Sequence, residues 1–241
     1  MAVFRGRVSD DSFWKLLLKP FPLFVYPAVI FSSLIYGSFF TWLVVLSVLS
    51  VPIYHAPPYN LTPGQIGITN VPLLFAGITG SAVSGWMSDK VVRSIARKNQ
   101  GIYEPEFRLI PMVVAAVISS VAFFGFGISV EMSLPLPVLL VFVSLHSLAA
   151  PFATQAAYTY VADCHPKDAN QAFVTIGLVK AAMTFLASTS VNGWYEAQGP
   201  KVVFWSVAGI NLGVCILTIP MYIFGKKFRA LVSYSILILL V

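Results

Sequence analysis

The sequence is poor in charged residues and has only two cysteines and three histidines. Charged residues make up 10% of the 241 residues and hydrophobic residues 58%, whereas soluble domains carry about 25% charged residues. This composition excludes an ordinary water-soluble globular protein. Two cysteines, Cys164 and Cys215, are too few for a disulfide scaffold or a cysteine-rich metal centre. We therefore expect no disulfide, no bound metal and no cofactor.

Long apolar runs fill most of the remaining sequence. Each run is about 20 residues long and almost free of charge, which is enough for a helix to cross about 30 Å of hydrocarbon. The predicted spans are 22–50, 67–88, 109–130, 137–161, 171–192 and 202–224. The sequence therefore predicts an all-α membrane protein with an N-terminal cytoplasmic segment at 1–20, a six-helix bundle at 21–226 and a cytoplasmic or interfacial tail at 227–241.

Basic residues fall almost entirely on one side when alternate loops are assigned to opposite faces of the membrane. The other side has only Lys201. Because cytoplasmic loops are enriched in Lys and Arg, we expect both termini and the loops near 89–108 and 163–170 to be cytoplasmic. The same asymmetry explains the net charge of +6 without a nucleic-acid partner. The basic side comprises Arg5, Arg7, Lys15, Lys19, Lys90, Arg93, Arg97, Lys98, Arg108, Lys167, Lys226, Lys227 and Arg229.

Two ionisable residues lie inside predicted spans. Lys180 is roughly 12–14 Å from the nearer end of the fifth span at 1.5 Å per residue, and a charge at such depth commonly costs about 2.5–3.5 kcal/mol. It must face protein or a wet cavity, so it is a candidate for a transport or proton path, or it lies in a buried ion pair that fixes packing. His146, in the fourth span, is either a packing residue or a proton carrier.

Uncharged polar residues also cluster within spans. Ser33 and Tyr36 are close together in the first span, and Gln155 and Tyr158 share a face of the fourth. Buried polar groups need partners, so these residues either bond to neighbouring helices or line a hydrated path.

Two further patterns have mainly structural interpretations. The small residues Gly77, Ser81 and Gly85 recur every four positions in the second span, which predicts a close helix contact. Asn60-Leu61-Thr62 in the largest outer loop is formally a glycosylation acceptor. Pro63 follows it directly and the membrane is close, which argues against its use.

The loop after the second span carries the most specific local pattern. Residues 85–93 read GWMSDKVVR, in which Gly85 permits a close helix crossing and Asp89 can sit at a helix terminus and pair with Arg93. With Lys90 next to Asp89, this pattern resembles the signature loop of the major facilitator superfamily. Val92 stands where that signature usually has a second glycine.

A longer stretch narrows this resemblance. Residues 96–109, ARKNQGIYEPEFRL, are similar to the cytoplasmic loop of fungal major facilitator transporters related to drug:proton antiporters and to the histidinol and polyamine permeases. Shorter matches lie at 57–60, 163–165, 172–175 and 220–226, so the resemblance covers about 4–230. By helix order it implies the C-terminal six helices of a twelve-helix carrier, that is, one half-bundle of the fold.

The resemblance implies a secondary active transporter of a small organic solute, such as a drug, polyamine or nutrient, that is coupled to protons and located in the plasma membrane rather than a vacuolar one. Its implied partners are the solute, protons, the lipid bilayer and a complementary six-helix half. Its implied gating residues are Gly85, Asp89, Lys90 and Arg93. Its implied cavity residues are Ser33, Tyr36, Asn70, His146, Gln155 and Lys180.

Two alternatives remain. The first is a truncated, non-transporting half that is inactive or that acts as an interaction or regulatory membrane fragment, because one bundle supplies only half of the cavity wall. A membrane enzyme is not expected, since the sequence has no HExxH or GxSxG motif and no convincing group of serine, histidine and acid.

Overall fold

The computed structural model describes the backbone of residues 20–239 and the side chains of 20–230. The predicted segment 1–20 thus lies almost entirely outside the described residues, as does the extreme end of the tail. The helices are α1 (Pro27–His55), α2 (Pro63–Ile68), α3 (Asn70–Lys98), α4 (Met112–Glu131), α5 (Leu136–Cys164), α6 (Ala169–Ile216) and α7 (Thr218–Leu239). Short 3-10 turns at Phe21–Val25 and Pro105–Leu109 precede α1 and α4.

Five helical segments of the described chain are long and apolar enough to cross a membrane. They are Pro27–His55, Pro63–Lys98, Pro105–Glu131, Leu136–Cys164 and Ala169–Ala230. The expectation of an all-helical, multi-pass membrane protein is thus confirmed. The last segment contains the fifth and sixth predicted spans. The backbone of Gly199 (φ 77°, ψ 170°) is not helical and breaks the segment between them. Only glycine adopts that conformation without strain.

The contacts of α5 fix the direction of its neighbours. On α1, Phe31 packs on Tyr160 and Phe39 on His146, so that higher numbers on α1 meet lower numbers on α5. On α4, Ser119 contacts His146. A side chain at Gly125 would meet Phe142. Both α1 and α4 are therefore antiparallel to α5 and parallel to each other.

The two arms of α6, 169–198 and 200–216, run in opposite directions. In the first arm Thr175 bonds Pro20 and Thr184 lies 3.1 Å from Thr41, so this arm is parallel to α1. In the second arm, Phe204 packs on Phe126. Further along, Asn211 bonds Ser119. The second arm is thus antiparallel to α4, and the chain reverses at Gly199.

A small-residue face of α5 holds the bundle together. Five alanines of this face are at most 4% exposed, and α1, α3 and α4 all pack on α5. Small residues let helix backbones approach closely, which is what drives helix association in lipid. The face comprises Ala149, Ala150, Ala153, Ala156 and Ala157.

The small-residue stripe of α3 does not make the predicted helix contact. A Cβ placed at Gly77 would meet no atom within 4 Å, and one at Gly85 would meet only the Gln155 side chain at 3.5 Å. The close contact is made by Gly80, where a Cβ would lie 2.4 Å from the backbone oxygen of Leu148. The prediction chose the wrong face of α3, because glycine occurs on both faces and spacing alone cannot tell them apart.

We predict that Gly80→Ala destabilises the protein and that Gly77→Ala does not. The added methyl group at position 80 collides with the backbone of α5, and overpacking of this kind costs about 1–3 kcal/mol. Position 77 has free space, so its change should stay within about 0.5 kcal/mol. Thermal unfolding of both variants in detergent measures the difference. Equal unfolding temperatures would contradict the packing described for Gly80.

Candidate functional site

A groove runs along the side of the bundle between α1, α3 and α5. It consists of two adjoining parts of about 580 and 470 Å³. Both parts are lined by the four residues Tyr36, Ser81, Pro151 and Thr154. Gly77 lines the larger part and helps to keep it open, since it has no side chain. We call this feature the polar groove.

Hydroxyl and amide groups line the narrower part of the polar groove. It is bounded by Tyr36, Ser81, Ser84, Pro151, Thr154, Gln155 and Tyr158. The Ser84 hydroxyl donates to Gln155 Oε1 at 2.8 Å, which orients the amide of Gln155. None of the lining residues is charged. The groove can therefore offer hydrogen bonds and aromatic faces to a solute, but no ion pair from its own lining.

Lys180 lies at the edge of this groove, beyond two of its aromatic residues. Its ammonium is 4.4 Å from the ring centre of Phe40 and 5.7 Å from that of Tyr36. In cation–π contacts of this kind the ammonium is attracted to the faces of the rings. Lys180 is half-buried, and no carboxylate among the side chains of 20–230 lies within 4.0 Å of it. Among the side chains of 20–230, the Lys180 ammonium thus contacts aromatic rings and no carboxylate.

His146 lies outside the polar groove, in the interior of the bundle. It is fully buried, with Nδ1 2.9 Å from Ser119 Oγ and Nε2 3.4 Å from the Phe39 carbonyl. Asn211 Nδ2 donates to Ser119 Oγ at 3.1 Å, which leaves the serine proton for Nδ1. The imidazole then carries its hydrogen on Nε2 and donates to Phe39. This chain of bonds joins α4, α5, α6 and α1, and it fits the packing interpretation of His146.

Two other predicted cavity residues also lie away from the polar groove. Ser33 is 2% exposed, and its hydroxyl has no partner among the described residues. Asn70 is exposed near the start of α3 and donates weakly to the Gly67 carbonyl at 3.4 Å. The structure thus places Tyr36 and Gln155 in the groove with Lys180 at its edge. Ser33, Asn70 and His146 lie elsewhere.

A cluster of charged residues joins three elements at the end of the bundle that carries most basic residues. Arg108 Nη1 lies 3.1 Å from Asp89 Oδ1 on α3, and Arg108 Nε lies 3.2 Å from Asp163 Oδ2 on α5. The phenol of Tyr103 also donates to Asp163. Burial, reinforced by this hydrogen bond, raises the pKa of Tyr103 to about 12, so the phenol keeps its proton. We call these four residues the Arg108 cluster.

The predicted pairing of Asp89 with Arg93 is wrong. Helix α3 does not end near residue 88 but continues to Lys98, so Asp89 is not at a helix terminus. Arg93 Nε donates to the Asp89 backbone carbonyl at 3.1 Å, while the carboxylate turns to Arg108. Lys90 packs over the Trp86 ring at 4.7 Å.

The turn that contains Arg108 also makes ion pairs with α7 near the start of the predicted tail. Glu104 bonds Lys226 at 2.9 Å, and the buried Glu106 accepts two bonds from Arg229 at 2.7 and 2.8 Å. Sequence reasoning did not assign roles to Glu104, Glu106 or Arg108. The signal is present in the EPEFRL string, in which every second residue from 104 to 108 is charged and both signs occur.

Curated fungal transporters are similar to this chain. No protein-family model and no solved structure matches it. Protein HOL1 of Saccharomyces cerevisiae is 27% identical over 217 residues, which are 90% of this chain and 37% of HOL1. The MFS-type transporter cpaT of Aspergillus oryzae is 25% identical over 235 residues, 95% of this chain and 46% of cpaT. The MFS antiporter QDR3 of Candida albicans is 25% identical over 179 residues, 73% of this chain and 25% of QDR3.

These similarities confirm the resemblance to fungal transporters of the major facilitator superfamily. They extend over most of the chain and do not depend on the 85–93 pattern alone. The chain spans less than half of the length of each of these relatives.

We predict that Arg108→Gln lowers the free energy of unfolding by about 1–2 kcal/mol. The value lies between that of an exposed ion pair and that of a buried charged hydrogen bond, because the Arg108 side chain is 21% exposed and that of Asp89 is 61% exposed. Arg93→Gln is the matched control, since Arg93 bonds only a backbone carbonyl among the described residues. Chemical unfolding in detergent measures both. Equal losses in the two variants would show that the Arg108 cluster does not join the helices.

Proposed function

We propose that this chain is one six-helix bundle of a secondary active transporter of the major facilitator type, which moves a small organic solute across the lipid bilayer. The observation that carries the proposal is the polar groove, a hydrogen-bonding surface between apolar helices. The relatives support it, since they include an MFS antiporter and an MFS-type transporter.

Six crossings follow from the five apolar segments if the reversal at Gly199 lies at the membrane surface. The grouping of loops supports this topology. Asp89, Arg108 and Asp163 meet at one end of the bundle, together with the start of the tail. At the other end, the Tyr59 phenol donates to the Leu134 carbonyl at 2.6 Å. The first end carries the basic residues, so we assign this end and both termini to the cytoplasmic side. The membrane is assigned as the plasma membrane.

The polar groove forms one wall of the solute pathway in this proposal, and a second six-helix bundle forms the other. Transporters of this type bind their substrates near the bilayer midplane between two bundles that rock against each other. The groove is open along its length, and α3 beside it exposes apolar side chains such as Leu74 (61%) and Phe75 (65%). These surfaces fit contact with another apolar bundle. The Arg108 cluster, with Gly85 and Lys90 nearby, is assigned to the cytoplasmic gate.

The chemistry of the groove limits the solute it can bind without help. Its lining offers Tyr36, Gln155 and hydroxyls but no carboxylate. A cationic solute such as a polyamine would therefore need an acid from the second bundle, whereas a neutral polar or aromatic solute would not. Lys180 is assigned to the coupling of transport to protons, because its ammonium contacts the groove residues Tyr36 and Phe40.

A bundle that does not transport by itself, and instead associates with another membrane protein, is the second candidate. It is favoured by the one-sided groove. Uptake distinguishes the two candidates when the chain is supplied with a second bundle, by placing it in cpaT in exchange for the segment of cpaT to which it is similar. A bundle without transport activity would give no accumulation there either.

We predict that Lys180→Ala abolishes accumulation driven by a pH gradient. The chain, placed in cpaT in this way, is reconstituted in liposomes with an imposed gradient, and uptake of radiolabelled spermidine, a cation, and of radiolabelled chloramphenicol, a neutral aromatic solute, is followed. Lys201→Ala is the matched control, because Lys201 also lies over an aromatic ring, 5.2 Å from that of Trp205, but outside the groove. The control should keep its activity.

Two outcomes would contradict parts of the proposal. Unaltered uptake by Lys180→Ala would remove this residue from the mechanism. Absence of gradient-driven uptake of both solutes by the unmodified chain in cpaT would leave the non-transporting bundle as the function.

A further inference from the structure

A second groove lies on the other side of the bundle. It has a volume of about 400 Å³ and runs between α4 and the junction of α6 with α7. Its lining is apolar except for Thr218 and Tyr222, and it includes no residue of the polar groove. Typical lining residues are Val113 and Val117 on α4, with Leu109 just before it, and Leu212, Ile219 and Ile223 opposite. We call it the apolar groove.

The apolar groove starts at the basic end of the bundle and reaches part of the way across. Leu109 directly follows Arg108 of the charged cluster. From Met112 to Val117 α4 rises about 7.5 Å at 1.5 Å per residue, and the opposite wall from Leu212 to Ile223 covers about 16 Å. The groove therefore spans about half of a hydrocarbon core of about 30 Å, the half nearest the basic end. The exposed fractions of Val113 (63%) and Ile223 (60%) show that it opens sideways to the surroundings of the bundle.

Two lysines of α7 lie at the end of the apolar groove that is nearest the basic end of the bundle. Lys226 and Lys227 follow the lining residues Tyr222 and Ile223 by one helical turn, which places them on the same side of α7. The Lys226 side chain is 75% exposed even though it bonds Glu104, and Lys227 is exposed. Tyr222 has an apolar ring and a polar hydroxyl, which suits the boundary between lipid tails and headgroups.

We propose that the apolar groove binds one anionic phospholipid of the adjacent leaflet, with an acyl chain in the groove and the phosphate against Lys226 and Lys227. The apolar groove next to exposed lysines is complementary to a molecule with a long apolar chain and an anionic head. A sterol would fill the apolar groove without contacting the lysines. A soluble phosphate would bind the lysines without entering the apolar groove. The inference requires the membrane location of the bundle and is independent of transport.

The test counts lipids retained by the full chain. The chain is purified in mild detergent, stripped of lipid and titrated with phosphatidylinositol or phosphatidylcholine, and bound lipid is counted by native mass spectrometry. Val113→Trp fills the apolar groove. Val121→Trp is its matched control, since Val121 is 52% exposed on the same face of α4, two turns away, and does not line the groove. Lys227→Gln removes a cation at the mouth, and Lys98→Gln removes an exposed one on α3.

The unmodified chain should retain one phosphatidylinositol in preference to phosphatidylcholine. Lys227→Gln should weaken this retention about fivefold, the usual effect of one basic residue near an anionic lipid. Val113→Trp should weaken retention of both lipids, and the two controls should bind as the unmodified chain does. Because Val113 and Lys227 are exposed, their replacements leave the core intact, and size-exclusion chromatography checks this.

Three results would overturn the proposal. The first is equal retention by Val113→Trp and Val121→Trp. The second is displacement of the bound lipid by ergosterol, which would assign the groove to a sterol. The third is displacement by glycerophosphate alone, which would reduce the site to a surface that binds phosphate.

Discussion

The alanine face of α5 is the constraint on which the rest of the structure depends. In lipid, apolar side chains gain little from contact with one another compared with contact with acyl chains, so helices associate through close backbone approach and polar contacts. α5 supplies both. Its alanines admit α1 and α4, and His146 bonds Ser119 of α4 and Phe39 of α1. On α3, Gly80 fits against the backbone of Leu148.

This arrangement gives the bundle two chemically different sides. Because α3 contacts mainly α5, a polar groove is left open between α1, α3 and α5, and Pro151 and Gln155 of α5 are part of its wall. On the other side, α4 and the second arm of α6 enclose an apolar groove. The first suits a solute that needs hydrogen bonds, and the second suits a lipid chain. At the basic end, ion pairs of Arg108 with α3 and α5 and of Glu104 and Glu106 with α7 tie these three helices together.

Much of the fold could be predicted from sequence because hydropathy reports directly on membrane helices. The apolar runs were readable in this way, whereas small-residue spacing chose the wrong face of α3. The partner of Asp89 could not be predicted. Arg93 is close to Asp89 in the sequence, whereas Arg108 comes close to it only in the packed bundle. For the same reason a helical wheel could not exclude His146 from the groove: its bonds to Ser119 and Phe39 depend on helices far away in the sequence.

The break at Gly199 is the feature that most needs direct measurement, because it decides whether the last apolar segment crosses the membrane once or twice. Single cysteines at Asn60, Ser94 and Ala197, in a chain whose Cys164 and Cys215 are replaced by serine, can be labelled in intact cells with a maleimide that does not cross membranes. All three positions are exposed. Two crossings predict that Asn60→Cys and Ala197→Cys react from outside and that Ser94→Cys reacts only after permeabilisation. Labelling of Ala197→Cys only after permeabilisation, together with Ser94→Cys, would contradict the six-helix bundle.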